Sequence, residues 1–403
     1  MKLSLRTVLA GLASLSGVAA VGACATDHAE APVEAPPGVE TVPTHDASAD
    51  GDDGGAATDA ACEACAPVDC TTTDFCVTNA PISPSVSLNA IWGSSATDLW
   101  IVGTRGTILR TDGSSFSAVD VSGDAGIDDQ TIFFSLWGSA SNDVWIGATG
   151  APLHSSIPGE GGISPAWEVA RGAVWDDTTA TQGRVAAIWG SSKDALWLAG
   201  NASSRFDGFG SFWARGTEDD GETVWSAVDA YEGDNLTQPS IHALWGAGSD
   251  DVWAVGGAGQ IFRYVPAADA SALPRHWIAV DSSTTVPLDA VWGSSASDVW
   301  AAGGDGTLRH FTGDITGAFA DVASPTTRAL HGIGGTGPSD VWVVGDGGTI
   351  LHWGGQKWSV ATTGLAGGQA PDLFAVWASG PDDVWIGGAG VLLHRTAINR
   401  RQP

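Results

Sequence analysis

The chain has 403 residues, among them 20 tryptophans and 55 glycines, and a formal net charge of −29 at pH 7. The chain has 46 acidic residues and only 17 basic ones, so its composition argues against electrostatic attraction to nucleic acid or to an anionic membrane surface. No nucleic-acid partner is therefore expected, and contact with a membrane is expected through a lipid anchor only.

The amino terminus has the pattern of a secretory signal. Two basic residues precede an apolar or small stretch over 7–21, which is too short for a membrane-spanning helix. Val-Gly-Ala-Cys at 21–24 resembles the bacterial lipobox, in which the signal is cleaved before a cysteine that then carries a diacylglycerol. We predict a signal peptide over 1–23 and a lipid on Cys24. A plain signal peptide with an incidental cysteine is the alternative.

The residues that follow Cys24 indicate in which membrane the protein is anchored and how it is linked to the anchor. Ala25 and Thr26 replace the aspartate associated with inner-membrane retention, which favours an outer-membrane lipoprotein of the cell envelope, on its periplasmic or surface face. Residues 25–60 carry nine acidic groups and neither Lys nor Arg, so they cannot bury enough surface to offset the entropy lost on ordering. We predict that 24–61 is a flexible acidic linker. Its Asp-rich stretch lacks the distal glutamate of a calcium loop, and no metal site is expected.

Four cysteines follow within 62–76, namely Cys62, Cys65, Cys70 and Cys76. In an exported protein such a cluster favours two disulfides, and all three pairings remain open. A zinc ion held by four thiolates is the alternative, which the oxidising setting disfavours.

A tryptophan-rich repeat fills the rest of the chain. Seven copies resemble Val291–Phe311, VWGSSASDVWAAGGDGTLRHF, and their second tryptophans lie 42 to 56 residues apart. In the sixth copy, over 330–364, turn residues separate four apolar runs of strand length. Because the Asp-Val-Trp run is apolar on both faces, its sheet has to be covered on both sides. The sequence predicts an all-β protein with almost no helix, a seven-bladed β-propeller of four-stranded antiparallel blades over 75–397.

The repeat places tryptophan at two positions, which we expect to be structural. The two residues should lie opposite each other on the first and second strands and pack against a neighbouring blade. Repeat glycines are expected to supply positive φ in tight turns, and the aspartate of Asp-Val-Trp to accept backbone N–H bonds. Stacking of sugars on some tryptophans is the alternative. Gly334 takes the first position in the sixth copy, and the tryptophans are Trp92, Trp100, Trp137, Trp145, Trp189, Trp197, Trp245, Trp253, Trp292, Trp300, Trp342, Trp377 and Trp385.

The two ends of the repeat region predict how the ring closes. The seventh copy stops after its third strand, whereas the segment before the first copy resembles the missing fourth strand. We predict that a strand from 75–79 completes the last blade, with Phe75 in the place that Trp358 holds in the sixth copy, so that no edge is left unpaired.

Each copy ends its third strand with a basic or imidazole side chain. One interpretation is a ring of cations around one face, able to bind an anionic ligand. The favoured interpretation is an ion pair or hydrogen bond to an aspartate or carbonyl of the adjoining turn, because a binding site usually breaks the symmetry of its scaffold. The seven residues are Arg110, His154, Arg205, Arg263, His310, His352 and His394.

Catalytic motifs are absent from the sequence. It contains no Gly-x-Ser-x-Gly elbow, His-Glu-x-x-His pair or phosphate-binding P-loop. Thr111–Phe116, TDGSSF, resembles the Asp-box of sialidase-type propellers but departs from its spacing. Neither a catalytic residue nor a cofactor is predicted, and enzymatic activity is not favoured.

The repeats over 88–395 resemble the Trp-Gly-Ser-x-x-x-Asp-Val-Trp propeller repeats of uncharacterised bacterial lipoproteins, and more faintly the propellers of photosystem assembly factors and Asp-box proteins. This resemblance implies the fold and leaves the function open. We expect an exported, lipid-anchored, monomeric scaffold that binds an envelope protein or a glycan. A carbohydrate-active enzyme or lectin built on the same propeller is the alternative. Insertions at 124–133, 175–184 and 216–225 are expected to mark the docking face.

Overall fold

The computed structural model describes residues 72–121, 127–156, 166–169, 184–201, 212–217, 223–228, 240–265, 276–313, 317–365 and 370–396. These residues form seven four-stranded antiparallel sheets arranged as the blades of a β-propeller, which confirms the predicted fold. The helical elements among them are three single 3₁₀ turns, which join second to third strands in blades 4, 5 and 6: Gly257–Gly259, Gly304–Gly306 and Asp346–Gly348.

The first strand in the chain, β1 (Cys76–Val77), belongs to the last blade. Blades 1 to 4 then follow in chain order. Their strands are β2 (Leu88–Ser95), β3 (Asp98–Gly103), β4 (Ile108–Thr111) and β5 (Phe116–Ala118); β6 (Phe133–Ala140), β7 (Asp143–Ala148), β8 (Leu153–Ser156) and β9 (Ala166–Val169); β10 (Arg184–Ser192), β11 (Ala195–Asn201), β12 (Phe212–Thr217) and β13 (Thr223–Val228); and β14 (Ile241–Gly248), β15 (Asp251–Gly256), β16 (Ile261–Val265) and β17 (His276–Val280).

Blades 5 and 6 have the same order, and blade 7 takes its fourth strand from β1. Their remaining strands are β18 (Leu288–Ser295), β19 (Asp298–Gly303), β20 (Leu308–Phe311) and β21 (Ala320–Asp321); β22 (Leu330–Gly337), β23 (Asp340–Gly345), β24 (Thr349–Trp353) and β25 (Trp358–Val360); and β26 (Leu373–Gly380), β27 (Asp383–Gly388) and β28 (Val391–Arg395). First strands of consecutive blades contact one another, β26 and β2 included, so they form the inner wall of a closed ring.

The second tryptophan of each blade packs edge-on against an aromatic residue in the next blade's outer strand or directly before it. Ring centroids lie 5.2 to 5.8 Å apart and ring planes meet at 70° to 89°, the T-shaped arrangement that the aromatic quadrupole favours. These seven contacts tie the ring together. The pairs are Trp100–Trp167, Trp145–Trp225, Trp197–Trp277, Trp253–Phe319, Trp300–Trp358, Trp342–Phe75 and Trp385–Phe116.

The glycine after the first tryptophan of a blade is explained by the first tryptophan of the preceding blade. Trp92 is the register partner of Trp100, as predicted. Its ring approaches Gly138 of the next blade so closely that a Cβ on that residue would lie 2.6 Å from the nearest ring atom. Gly138 lies inside a strand and has no positive φ, so the predicted role in a tight turn is wrong for the glycine that follows the first tryptophan. A glycine is needed there because the neighbouring indole leaves no room for a Cβ. Five more blades repeat the contact, with Gly93, Gly190, Gly246, Gly293 and Gly335 as the glycines.

The exception in blade 7 supports the same explanation. Ala378 stands where the other six blades have this glycine, and the preceding blade carries Gly334 where the others have the first tryptophan. The extra methyl group is tolerated because Gly334 places no first-position indole against it. Glycines with positive φ do occur in the turns between second and third strands, as at Gly106, Gly259 and Gly306.

The amino-terminal strand closes the ring as predicted, although it is shorter than 75–79. Cys76 and Val77 pair with His394 and Leu393 of β28. Phe75 turns away to form a parallel bridge with Thr363 of blade 6, and its side chain is fully buried against Trp342. The chain therefore joins blades 6 and 7 at this point.

An ion pair holds the residue before the closing strand. The Arg395 guanidinium, almost fully buried, donates to Asp74 Oδ1 at 2.8 Å and lies 5.1 Å from the Trp342 ring. The backbone N–H and hydroxyl of Thr362 donate to Asp74 Oδ2 at 2.9 Å. Burial raises the pKa of the Asp74 carboxyl, but these hydrogen bonds and the Arg395 charge outweigh it and hold that pKa below its ordinary 3.8.

Candidate functional site

Six of the seven basic residues assigned to third strands contact an aspartate side chain of their own blade. In blade 7, His394 Nε2 donates to Asp383 Oδ1 at 2.6 Å, and its imidazole stacks on Trp385 with 3.6 Å between centroids. The Ser379 hydroxyl donates to the other oxygen of Asp383. Burial raises the pKa of Asp383, but the His394 and Ser379 hydrogen bonds outweigh it, so that the pKa is lowered. The aspartate thus binds side chains rather than the backbone N–H groups expected from the sequence.

The same arrangement recurs around the ring. A histidine or arginine nitrogen lies 2.6 to 3.1 Å from the aspartate of Asp-Val-Trp and the side chain stacks on the second tryptophan. This geometry fits the interpretation as an ion pair or hydrogen bond to an aspartate, and not a ring of free cations. The pairs are Arg110–Asp98, His154–Asp143, Arg263–Asp251, His310–Asp298, His352–Asp340 and His394–Asp383.

The seventh proposed member, Arg205, lies outside the described residues. In blade 3 the residue opposite Trp197 is Ala214 of β12, so the predicted place of Arg205 in the third strand is wrong. The adjacent Arg215 lies with its guanidinium 5.0 Å from the Trp145 ring of blade 2 and donates to the Lys193 carbonyl at 2.6 Å.

A second set of residues breaks the symmetry of the ring. The second residue of six first strands, and the third of β10, is the extra residue of a β-bulge, because the strand register shifts across it in every blade. We call these the mouth residues, since they lie where the inner strands begin. They are Asn89, Phe134, Ala186, His242, Asp289, His331 and Phe374.

The mouth residues are chemically varied although their neighbours are not. The residue before each is Leu, Phe, Val or Ile and the residue after it is Ala, Ser or Gly, whereas the mouth position holds five residue types. All except Ala186 are part-exposed. Packing therefore fixes the flanking positions and leaves this one free to vary. The sequence alone did not point to these residues, because the repeat is recognised by the positions that all copies share and the mouth position is not one of them.

Two pairs of mouth residues from consecutive blades are in direct contact. His242 Nδ1 lies 2.8 Å from Asp289 Oδ1, and the His331 imidazole lies 5.5 Å from the Phe374 ring. Asn89 donates its side-chain N–H to the Phe133 carbonyl at 2.8 Å. The mouth therefore presents imidazole, carboxylate, amide and aromatic groups in one ring.

Two further groups border the mouth. His331 Nε2 lies 2.6 Å from Asp346 Oδ1, in the turn between β23 and β24. The Arg184 guanidinium lies 5.0 Å from the Phe134 ring and makes no ion pair with a carboxylate of the described residues. An arginine on an aromatic face at an open rim is available to a ligand.

The three predicted insertions do not share one face. In an antiparallel blade, the connections after second and fourth strands leave at the mouth, and those after first and third strands leave at the opposite end. Segments 124–133 and 175–184 follow fourth strands, whereas 216–225 spans the connection from β12 to β13. Most of these residues lie outside the described ranges, but the strand ends separate them into two groups.

Several sequence predictions fall outside the described residues: the signal peptide, Cys24, the linker, and Cys62, Cys65 and Cys70. Within 72–396, gaps excepted, no group of His, Cys, Asp and Glu side chains has the geometry to hold a metal ion. No helix in the same ranges is long and apolar enough to cross a membrane.

Comparison with solved structures places the fold among known propellers. YCF48 bound to D1 peptide superposes with a TM-score of 0.59 at 18% identity, over 80% of this chain and 97% of that one. YCF48 from Cyanidioschyzon merolae gives 0.58 at 18% identity, over 80% and 99%. Streptogramin B lyase gives 0.57 at 14% identity, over 79% and 96%. These identities establish the fold alone, agree with the faint likeness to photosystem assembly factors, and include both a peptide binder and an enzyme.

The sequence matches no protein-family model and no curated protein.

Proposed function

We propose that this protein is a non-catalytic binding scaffold that holds a polypeptide at the mouth of its propeller and is anchored in the cell envelope by a lipid on Cys24. The observation that carries the proposal is the break of symmetry at the mouth. The tryptophans, glycines and basic residue–aspartate contacts recur with one exception each around the ring, whereas the mouth position alone in the first strand varies freely in chemistry. Residues that packing leaves free are the ones that recognition uses.

The chemistry of the mouth suits a polypeptide. The aromatic rings of Phe134 and Phe374 offer apolar contacts, while His242, Asp289 and His331 offer hydrogen bonds and charge. Binding sites for peptides combine apolar contact with a few placed polar groups. YCF48, a propeller of similar fold, is a precedent because its structure holds a peptide.

The location at the envelope rests on the sequence. The signal at 1–23, the lipobox-like 21–24 and the acidic segment 24–61 fit a lipoprotein whose ring is held on a flexible tether. A tether of this kind allows the mouth to reach a partner at the membrane while the lipid holds the chain in place.

A two-step experiment tests the proposal. Cross-linking in native envelopes identifies the captured polypeptide, and its binding to purified propeller variants is then measured. We expect Phe374→Ala at the mouth to weaken binding by about tenfold or more, and Val360→Ala on the outer edge to leave it unchanged. Equal affinity of both variants would remove the mouth as the binding site.

The alternative is a carbohydrate-active enzyme on the same scaffold. Turnover of a glycan panel by the purified protein, abolished by replacing one carboxylate, would establish the enzyme and overturn the scaffold.

A further inference from the structure

The end of the ring opposite the mouth contains a pocket in blade 1. Its volume is about 500 Å³, and six serine and threonine hydroxyls, two carboxylates and one guanidinium line it. The charged groups are Asp98, Arg110 and Asp112, and Ser141 comes from blade 2. The lining is therefore built almost wholly of groups that donate and accept hydrogen bonds.

Comparison with blade 4 shows how blade 1 departs from the repeat. Arg263 makes the same ion pair and the same tryptophan contact as Arg110. Its neighbour across the outer strand is Ile278, and the Phe311 ring of the next blade lies 5.8 Å from its guanidinium. Arg110 instead has Ser117 across the strand, and Ser117 lines the pocket. The arginine of blade 4 therefore has apolar neighbours and that of blade 1 has hydroxyl neighbours, at nearly equal side-chain exposures of 32% and 34%.

A second substitution adds to the polar lining. Thr111 lines the pocket and pairs with Leu99. The equivalent residues of blades 4, 5 and 6 are the larger aromatic Tyr264, Phe311 and Trp353, as the strand register shows. Blade 1 is thus smaller and more polar than these blades at the same place.

The Asp112 turn is preorganised for binding. Asp112 Oδ1 accepts hydrogen bonds from the backbone N–H groups of Ser114 and Ser115 at 2.9 and 3.1 Å and from the Ser114 hydroxyl at 2.7 Å. These bonds lower the pKa of Asp112 to about 2, so the exposed carboxylate is ionised at neutral pH. None of these three bonds is made to Oδ2, which can accept a hydrogen bond from a ligand. This turn belongs to the Asp-box-like segment 111–116.

We propose that this pocket binds a neutral hexose unit of a glycan. Two carboxylates against one guanidinium leave the lining negative, which disfavours anionic ligands in a chain that already carries −29. None of the nine lining residues has an apolar side chain, which disfavours a hydrophobic ligand. A sugar ring offers adjacent hydroxyls that donate to carboxylates and accept from a guanidinium, which is the set of partners that Asp112 and Arg110 supply.

Binding to defined oligosaccharides tests the site. Titration calorimetry on the purified chain would use maltoheptaose, cellohexaose and mannohexaose as neutral probes and polygalacturonate as the anionic one. We expect at least one neutral probe to bind, and Arg110→Gln and Ser117→Ile each to weaken it about tenfold. The matched controls Arg263→Gln and Ser359→Ile, at equivalent positions of other blades, should leave the affinity unchanged.

Other results would overturn the proposal. These are no binding of any neutral probe, preference for polygalacturonate, or equal loss in the control variants. Asp112→Asn, at an exposed position, gives a further test should Arg110→Gln fail to fold, and the same tenfold loss is expected. Because the pocket and the mouth lie at opposite ends, Phe374→Ala should not change glycan affinity, and failure of either site leaves the other intact.

Discussion

Phe75 lies edge-on against Trp342, with 5.2 Å between ring centroids and 85° between ring planes. The other six blades make this contact with an aromatic residue that follows the first three strands of its own blade, whereas Phe75 precedes the whole ring in the chain. The segment that directly precedes the first repeat in the chain therefore also closes the ring.

Phe75→Ala should lower the free energy of unfolding by about 3–5 kcal/mol, because the side chain is fully buried and its removal leaves a cavity beside Trp342. Val77→Ala, two residues later and 54% exposed, should change it by less than about 0.5 kcal/mol. Urea denaturation compares the two variants. Equal, small effects would mean that the buried Phe75 side chain does not stabilise the ring. Deletion of 1–80 should lower the melting temperature for the same reason.

The Asp74–Arg395 ion pair predicts a loss of stability in acid. The folded pKa of Asp74 lies below its ordinary 3.8, so the ionised carboxylate stabilises the fold fully above that value. The contribution disappears as the pH falls through the lowered pKa. In Asp74→Asn this part of the pH dependence should be absent. Unfolding midpoints measured between about pH 6 and pH 2 should converge for the two proteins at the acid end; parallel curves would contradict the assignment.

The glycine after the first tryptophan should resist substitution. Gly138→Ala brings a methyl group within 2.6 Å of the Trp92 ring and should destabilise the fold by about 1–3 kcal/mol. Gly248→Ala, at a strand end with nothing within 4 Å of the new Cβ, is the control and should cost less than about 0.5 kcal/mol. Thermal unfolding of both variants decides whether the approach of the neighbouring indole explains the Trp-Gly pair.

Lipidation at Cys24 predicts where the protein fractionates. Cys24→Ala removes the acceptor sulfur, so the protein should move from the membrane fraction to the periplasm or the medium. Fractionation with immunoblotting measures this, and persistence in the membrane fraction would show that a different feature anchors the chain.

The cysteine cluster predicts two disulfides among Cys62, Cys65, Cys70 and Cys76. Peptide mapping by mass spectrometry without reduction, on exported protein, should find no free thiol at these four positions. Four free thiols, or one zinc ion per chain, would contradict the prediction.

The sequence predicted those parts of the fold that repeat within a blade. Strand number and order, the pairing of Trp92 with Trp100, and the placement of Phe75 all follow from aligning the copies. The role of Gly138 did not follow, because its partner Trp92 lies in another blade and only the folded ring brings them together.

Blade 3 shows a different limit of the repeat pattern. Arg205 precedes Phe, Asp and Gly in the sequence, much as Arg110 opens the turn of blade 1, and this local similarity placed the third strand too early. The lengthened connection moves that strand to Phe212–Thr217, where hydrogen bonding to β11 decides the register.

The division of the insertions between two ends could have been predicted from strand order alone, because alternate connections of an antiparallel sheet leave at opposite ends.

The most direct test of the scaffold is site-resolved photo-cross-linking in native envelopes. A photoreactive residue would replace Phe374 at the mouth, Val360 on the outer edge, or Thr97 at the opposite end. We expect one defined polypeptide to be captured from position 374 and not from 360 or 97. Capture from the edge or the opposite end without capture from the mouth would contradict it.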